Sequence, residues 1–186
     1  MEALDLHTCT VVAHSGAGGE VVRAITRRGA ARIGRVILVG AMLPAPVQSA
    51  TNPVGLPPEA VAAVGRQLRD DLDGWIAENA QPFAPGACPR TIAWLAAMVQ
   101  GCSRRAIVDF QQAIARGDFR AELARVDVPL TVIQGDLDVS APPALCGERI
   151  LALKPDAEYL AYAGVAHGPM VTHPRRLAED IAARAR

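Results

Sequence analysis

No stretch of this 186-residue chain is both long and apolar enough to cross a bilayer, and its start, MEALDL, has neither a positive leader nor an apolar core. The reading is a soluble, unexported, cytoplasmic protein. No C-x-x-C pair occurs: Cys9, Cys88, Cys102 and Cys146 are scattered, which argues against a zinc knuckle or a redox motif and for reduced thiols. Neither sign of charge dominates. Nineteen basic residues balance nineteen acidic ones, so no basic stripe is expected to draw nucleic acid or a membrane surface, and function must come from a site. Internal repeats and low-complexity runs are also missing. What remains is a chain with 51% hydrophobic residues, enough for one sizeable core in one globular domain.

The apolar residues come in short β-branched runs that alternate with helical stretches. Thr10–Ala13 reads as a strand, Ser15–Gly19 as a tight turn and Glu20–Arg28 as a helix closed by Gly29. Arg35–Gly40 is a second strand without alternation, as expected when both faces are covered in a parallel sheet. From Pro44 to about Asp118 the chain is rich in proline, with helical pieces near Glu59–Asn79 and Pro89–Arg116 and no clear strand. Alternation then resumes: a strand over Val128–Gln134, a helix over Pro143–Leu153, a strand over Glu158–Ala163 and a helix from Pro174, for which Thr172 or His173 could be the cap.

Gly16, Gly18 and Gly19, where a strand enters a helix, raise the possibility of a phosphate cradle. Two features weaken it: no lysine follows as in a P-loop, and a dinucleotide fingerprint from Gly16 would need a glycine at Val21. The second strand also runs on into Ala41-Met42 with no acid for a ribose. The competing reading is a strained strand-to-helix turn that exposes Ser15 as a nucleophile, with small neighbours at Ala13 and Ala17. Two later loops supply partners at the same sheet edge. Gln134-Gly135-Asp136-Leu137-Asp138 carries two carboxylates just past the third strand, and His167 follows the fourth in Gly164-Val165-Ala166-His167-Gly168. Serine, acid and histidine then appear in the chain order of a nucleophile, orienting acid and general base. For the two aspartates, a surface turn and a metal site shared with His167 and His173 stay open as alternatives. Asp138 is favoured as the acid, with Asp136 stabilising the turn; His14 is expected to point to the opposite face as a packed or second-shell residue.

The segments VVAHSGAGGEVVR, GDFRAELARVDVPLTVIQGDLDVSAP and YAGVAHGPMVTHP resemble the cofactor-free haloperoxidase and arylesterase branch of the α/β-hydrolases. The resemblance implies a partial α/β-hydrolase fold: about four parallel strands flanked by helices, with core segments 1–43 and 119–186 around a helical lid at 44–118. It implies catalysis by Ser15, Asp138 and His167 on a small ester or acyl substrate through an acyl-enzyme, with no heme or metal. Hydrogen peroxide can replace water in that family. The resemblance also implies that roughly the first third of a complete hydrolase does not precede the nucleophile strand, leaving the backbone N–H of Gly16 as an oxyanion donor without its second partner. Loss of one such donor costs on the order of a hundredfold to a thousandfold in rate. Two expectations follow: self-association through the uncovered sheet edge, and, as the alternative function, a catalytically impaired hydrolase-fold remnant or small-molecule binding module.

Overall fold

Strands in this chain form where β-branched and aliphatic residues run together, and each is followed by a turn-former that ends it. A computed structural model describes residues 1–185. After a single 3₁₀ turn at Glu2–Leu4 come β1 (Cys9–His14), α1 (Ala17–Arg28) and β2 (Ile33–Val39). Four helices follow, α2 (Pro58–Asp70), α3 (Leu72–Phe83), α4 (Pro89–Gln100) and α5 (Arg104–Ala115). The short α6 (Arg120–Leu123) leads to β3 (Leu130–Gly135), α7 (Gly147–Leu153), β4 (Glu158–Tyr162), α8 (Pro169–Thr172) and α9 (Pro174–Arg184).

All four strands are parallel and lie in chain order, β1-β2-β3-β4. Side chains alternate between the two faces of the sheet. Val36, Leu38, Leu130 and Val132 pack against α1, α6 and α7 through Val22, Ile25, Leu123 and Ile150. Ile37, Val39, Ile133 and Tyr162 pack on the other face against Leu177 and Ile181 of α9. This two-sided burial explains why β3 is buried along its whole length. β1 differs: among the described residues it pairs with β2 alone, and Val12 on the α9 side is 44% exposed.

Helices α2 to α5 carry a small core of their own, with Leu68, Leu72, Ile76 and Val108 buried together. Burying each such side chain contributes about 1.5–3 kcal/mol. The helix ends follow local chemistry. Pro58 and Pro89 occupy first-turn positions, where their missing N–H costs nothing, and the Asp71 carboxylate accepts from the N–H of Gly74 at 2.9 Å to cap α3. Asp71 also breaks the expected helical piece 59–79 in two, because its extended backbone (φ −145°) ends α2. Two helix starts move from their expected places. α1 begins at Ala17, because Gly18 and Gly19 are helical rather than part of the turn, and α7 begins at Gly147. Pro142–Cys146 is spent on a turn, with the N–H groups of Leu145 and Cys146 both donating to the Pro142 carbonyl. Neither Thr172 nor His173 caps α9 through its side chain. No helix among the described residues is long and apolar enough to cross a membrane.

The four thiols report on this packing. Cys88 and Cys102 are exposed, and the Cys88 thiol is held below its usual pKa by its hydrogen bond with Thr91. Cys146, the N-cap residue of α7, is buried, and burial, reinforced by the nearby Asp138 charge, pushes its thiol up to about 12. A thiol reagent added to native protein should therefore modify Cys88 first and leave Cys146 untouched until denaturant is added. Modification of Cys146 at the rate of the exposed thiols would mean that the N-terminal end of α7 is not packed into the core.

Candidate active site

The carboxyl ends of all four strands meet at one rim, where an open parallel sheet presents its loops. Ser15 follows β1 directly, at the start of the turn into α1. Its φ is +55°, a left-handed conformation that costs a non-glycine residue about 1–3 kcal/mol. The surrounding backbone holds it there: the Ser15 N–H donates to the Val39 carbonyl at 3.0 Å, and its carbonyl accepts from Gly18 at 3.1 Å and Met42 at 3.2 Å.

The Ser15 hydroxyl lies 2.9 Å from Nε2 of His167, and Nδ1 of His167 lies 2.8 Å from Oδ2 of Asp138. Because a carboxylate only accepts, Nδ1 carries the imidazole proton and Nε2 is free to accept the hydroxyl proton. Asp138 is 3% exposed, and every lone-pair direction it offers is used. Oδ1 accepts from the N–H groups of Ser140 at 2.9 Å and Ala141 at 2.7 Å; Oδ2 takes His167 and, more weakly at 3.4 Å, the Gln134 amide. Asp136 stands outside this chain of bonds. Its Oδ1 accepts from the Gly164 N–H at 2.7 Å, tying the acid loop to the loop that carries the histidine. His173 bonds the Thr172 hydroxyl and His7 pairs with Asp5, both away from the triad.

His14 ends β1 in register with Val39, on the α9 face of the sheet and opposite to Ala13, as alternation expects. From there Nε2 reaches the His167 carbonyl at 2.9 Å and the two imidazole centroids are 4.6 Å apart. Burial, with the neighbouring His167, holds the His14 pKa below its ordinary 6.5.

Four residues escaped sequence reasoning. Gly40, at the end of β2, has φ +50°, and a Cβ there would lie 2.9 Å from Asp138 Oδ2 and 3.1 Å from His167 Nδ1. A glycine closing a buried strand was its signal. Phe83, at the end of α3, presents its ring edge to His167 with centroids 5.6 Å apart. Phe110 and Ile114 of α5 lie over Gly16, where an added Cβ would be 2.9 Å from Phe110 Cζ and 2.3 Å from Ile114 Cδ1. Nothing in sequence spacing signals these three, since they come from helices far along the chain. The Gly16 N–H, at the amino end of α1, has no protein acceptor among the described residues.

Comparison with known proteins identifies the family of the fold. Residues 2–180 match the Alpha/beta hydrolase family. A non-heme chloroperoxidase of Streptomyces lividans is 34% identical over 98% of this chain and 68% of its own length. A bifunctional esterase/perhydrolase of Acinetobacter calcoaceticus is 27% identical over 98% of this chain and 69% of its own. Among solved structures, a bromoperoxidase from Bacillus anthracis superposes with a TM-score of 0.92 at 26% identity, covering 98% of this chain and 68% of that one. The chain thus spans about two thirds of the length of these relatives. With a family match over nearly its whole length and a parallel sheet of the matching architecture, this chain belongs to the alpha/beta hydrolase family, in its haloperoxidase-like branch.

Proposed function

We propose that this chain is a serine hydrolase acting on carboxylic esters through an acyl-enzyme on Ser15. The observation that carries the reading is the unbroken relay from Ser15 Oγ through His167 to Asp138, at 2.9 and 2.8 Å. His167 Nε2 takes the hydroxyl proton as Oγ forms a bond to the acyl carbon, and returns it to the departing alkoxide as the C–O bond breaks. Asp138 holds the tautomer and stabilises the imidazolium. The free N–H of Gly16 stands at the amino end of α1, where developing negative charge on the carbonyl oxygen is favoured. The second donor would come from the part of the family fold that this chain does not span. Residues 44–118 act as the lid, with Phe83, Phe110 and Ile114 reaching the rim.

A second acceptor has support of its own, because relatives bear the names non-heme chloroperoxidase and esterase/perhydrolase. Attack by hydrogen peroxide on the acyl-enzyme would release a peracid and restore Ser15. The peracid would then oxidise bromide and be reduced to the carboxylic acid.

A fluorophosphonate probe should label Ser15 and leave Ser15→Ala unlabelled, and that variant should lose ester turnover by about 10⁴-fold or more. Bromination that needs both the ester and peroxide should vanish with it. A folded wild-type chain that takes no label and turns over no ester would favour the remnant or binding-module reading instead. Gly40→Ala offers a separate check, since its methyl group would press on the acid–base pair. Turnover should drop by about a hundredfold, the scale of a 1 Å misplacement, without loss of the folded state. Unchanged kcat would mean that the pair tolerates the shift.

A further inference from the structure

The peptide group that follows His167 has both of its polar atoms engaged by different parts of the molecule. Its carbonyl lies 2.9 Å from His14 Nε2 at the end of β1, and its N–H, that of Gly168, donates to the Phe83 carbonyl at 2.8 Å at the end of α3. A carbonyl can only accept, so His14 is bound here as the tautomer with its proton on Nε2. The three rings pack together: His14 lies tilted against His167 with centroids 4.6 Å apart, and Phe83 meets both edge-on, at 6.1 Å from His14 and 5.6 Å from His167. Gly168 leaves no slack at this junction, because a Cβ there would be 2.6 Å from the Phe83 ring.

We infer that His14 is a positioning residue that holds the general base in place, its Nε2–H gripping the His167 carbonyl while Phe83 grips the next N–H from the helical segment. The inference rests on the serine-hydrolase reading above. His14 is the residue immediately before the nucleophile, so one short segment sets both ends of the Ser15–His167 hydrogen bond. Asp138 restrains the imidazole only at Nδ1, about which the ring could still swing. Fixing the peptide at residue 167 leaves rotation about the side-chain bonds as the main freedom. The imidazole needs that freedom to serve the leaving group and then water in turn. His14 touches neither the acyl carbon nor the leaving group in this role, so its contribution falls on kcat rather than on substrate binding.

Two substitutions separate the hydrogen bond from ring packing. His14→Phe keeps an aromatic ring beside His167 and Phe83 but removes the donor; His14→Gln removes the ring and can place an amide N–H near the position of Nε2. In the full chain, with p-nitrophenyl acetate, His14→Phe should lower kcat by about ten- to a hundredfold with KM changed less than about twofold. His14→Gln should recover most of that loss. An equal loss in both variants, a wild-type kcat in His14→Phe, or an effect confined to KM would overturn the assignment. Wild-type protein gives a reading that needs no variant: long-range ¹⁵N–¹H correlation of labelled histidines should find His14 as the neutral Nε2–H form at neutral pH. A proton on Nδ1 alone would break the assignment whatever the kinetics. If wild type neither hydrolyses ester nor takes the fluorophosphonate, the parent reading has failed while the tautomer still reports on the clamp.

Discussion

The reactive rim depends on one constraint, the left-handed backbone of Ser15. A residue with a β-carbon is held at φ +55° by bonds with Val39, Gly18 and Met42, one each on a strand, a helix and a loop. With the backbone fixed, the hydroxyl reaches His167 in the loop after β4. If the turn relaxed to an ordinary conformation, Oγ would leave His167, and the Asp138–His167 pair would be a buried hydrogen-bonded pair with nothing to act on. The strain is therefore offset by hydrogen bonds to the end of β2, to α1 and to the loop after β2.

The acid and base are held by a different logic. Asp138 is buried, and it is tolerated there because its oxygens are met by two backbone N–H groups, a histidine and an amide. Its loop is locked to the histidine loop twice over, through Asp136 to Gly164 and through the N–H of Leu137 to the Val165 carbonyl. The helices between β2 and β3 then close on this unit from outside. Phe83 reaches the histidine, Phe110 and Ile114 reach the elbow, and the N–H of Phe119 returns to the Pro44 carbonyl where the helical stretch departs from the core.

Much of this was legible in the sequence, for physical reasons that can be named. Parallel strands buried on both faces write themselves as unbroken β-branched runs, so VVA, RVILV and LTVIQ stood out, and the loops after VVA, LTVIQ and the fourth strand carried a serine, two aspartates and a histidine on one edge. Alternation was less informative at the strand end. It put His14 on the face of Val39, opposite to Ala13, but did not reveal that its ring would meet the His167 carbonyl there. Glycine-rich text also misled in part: Gly18 and Gly19 are helical, their missing side chains serving packing against Leu38 and Phe119 rather than turn geometry. Contacts made by the helical segment were illegible throughout, since Phe83 and Ile114 meet the site only through the tertiary packing of α3 and α5.

The account stands or falls on where the acyl group goes. Mixing the chain with p-nitrophenyl acetate, quenching in acid within the first turnover and sequencing the tryptic peptides by mass spectrometry observes that step directly. The account predicts one acetyl group, carried by the peptide that contains Ser15, appearing with the burst of nitrophenol and decaying as turnover continues. Ester consumption with acetyl on another side chain, or with Ser15 unmodified at every quench time, would contradict it.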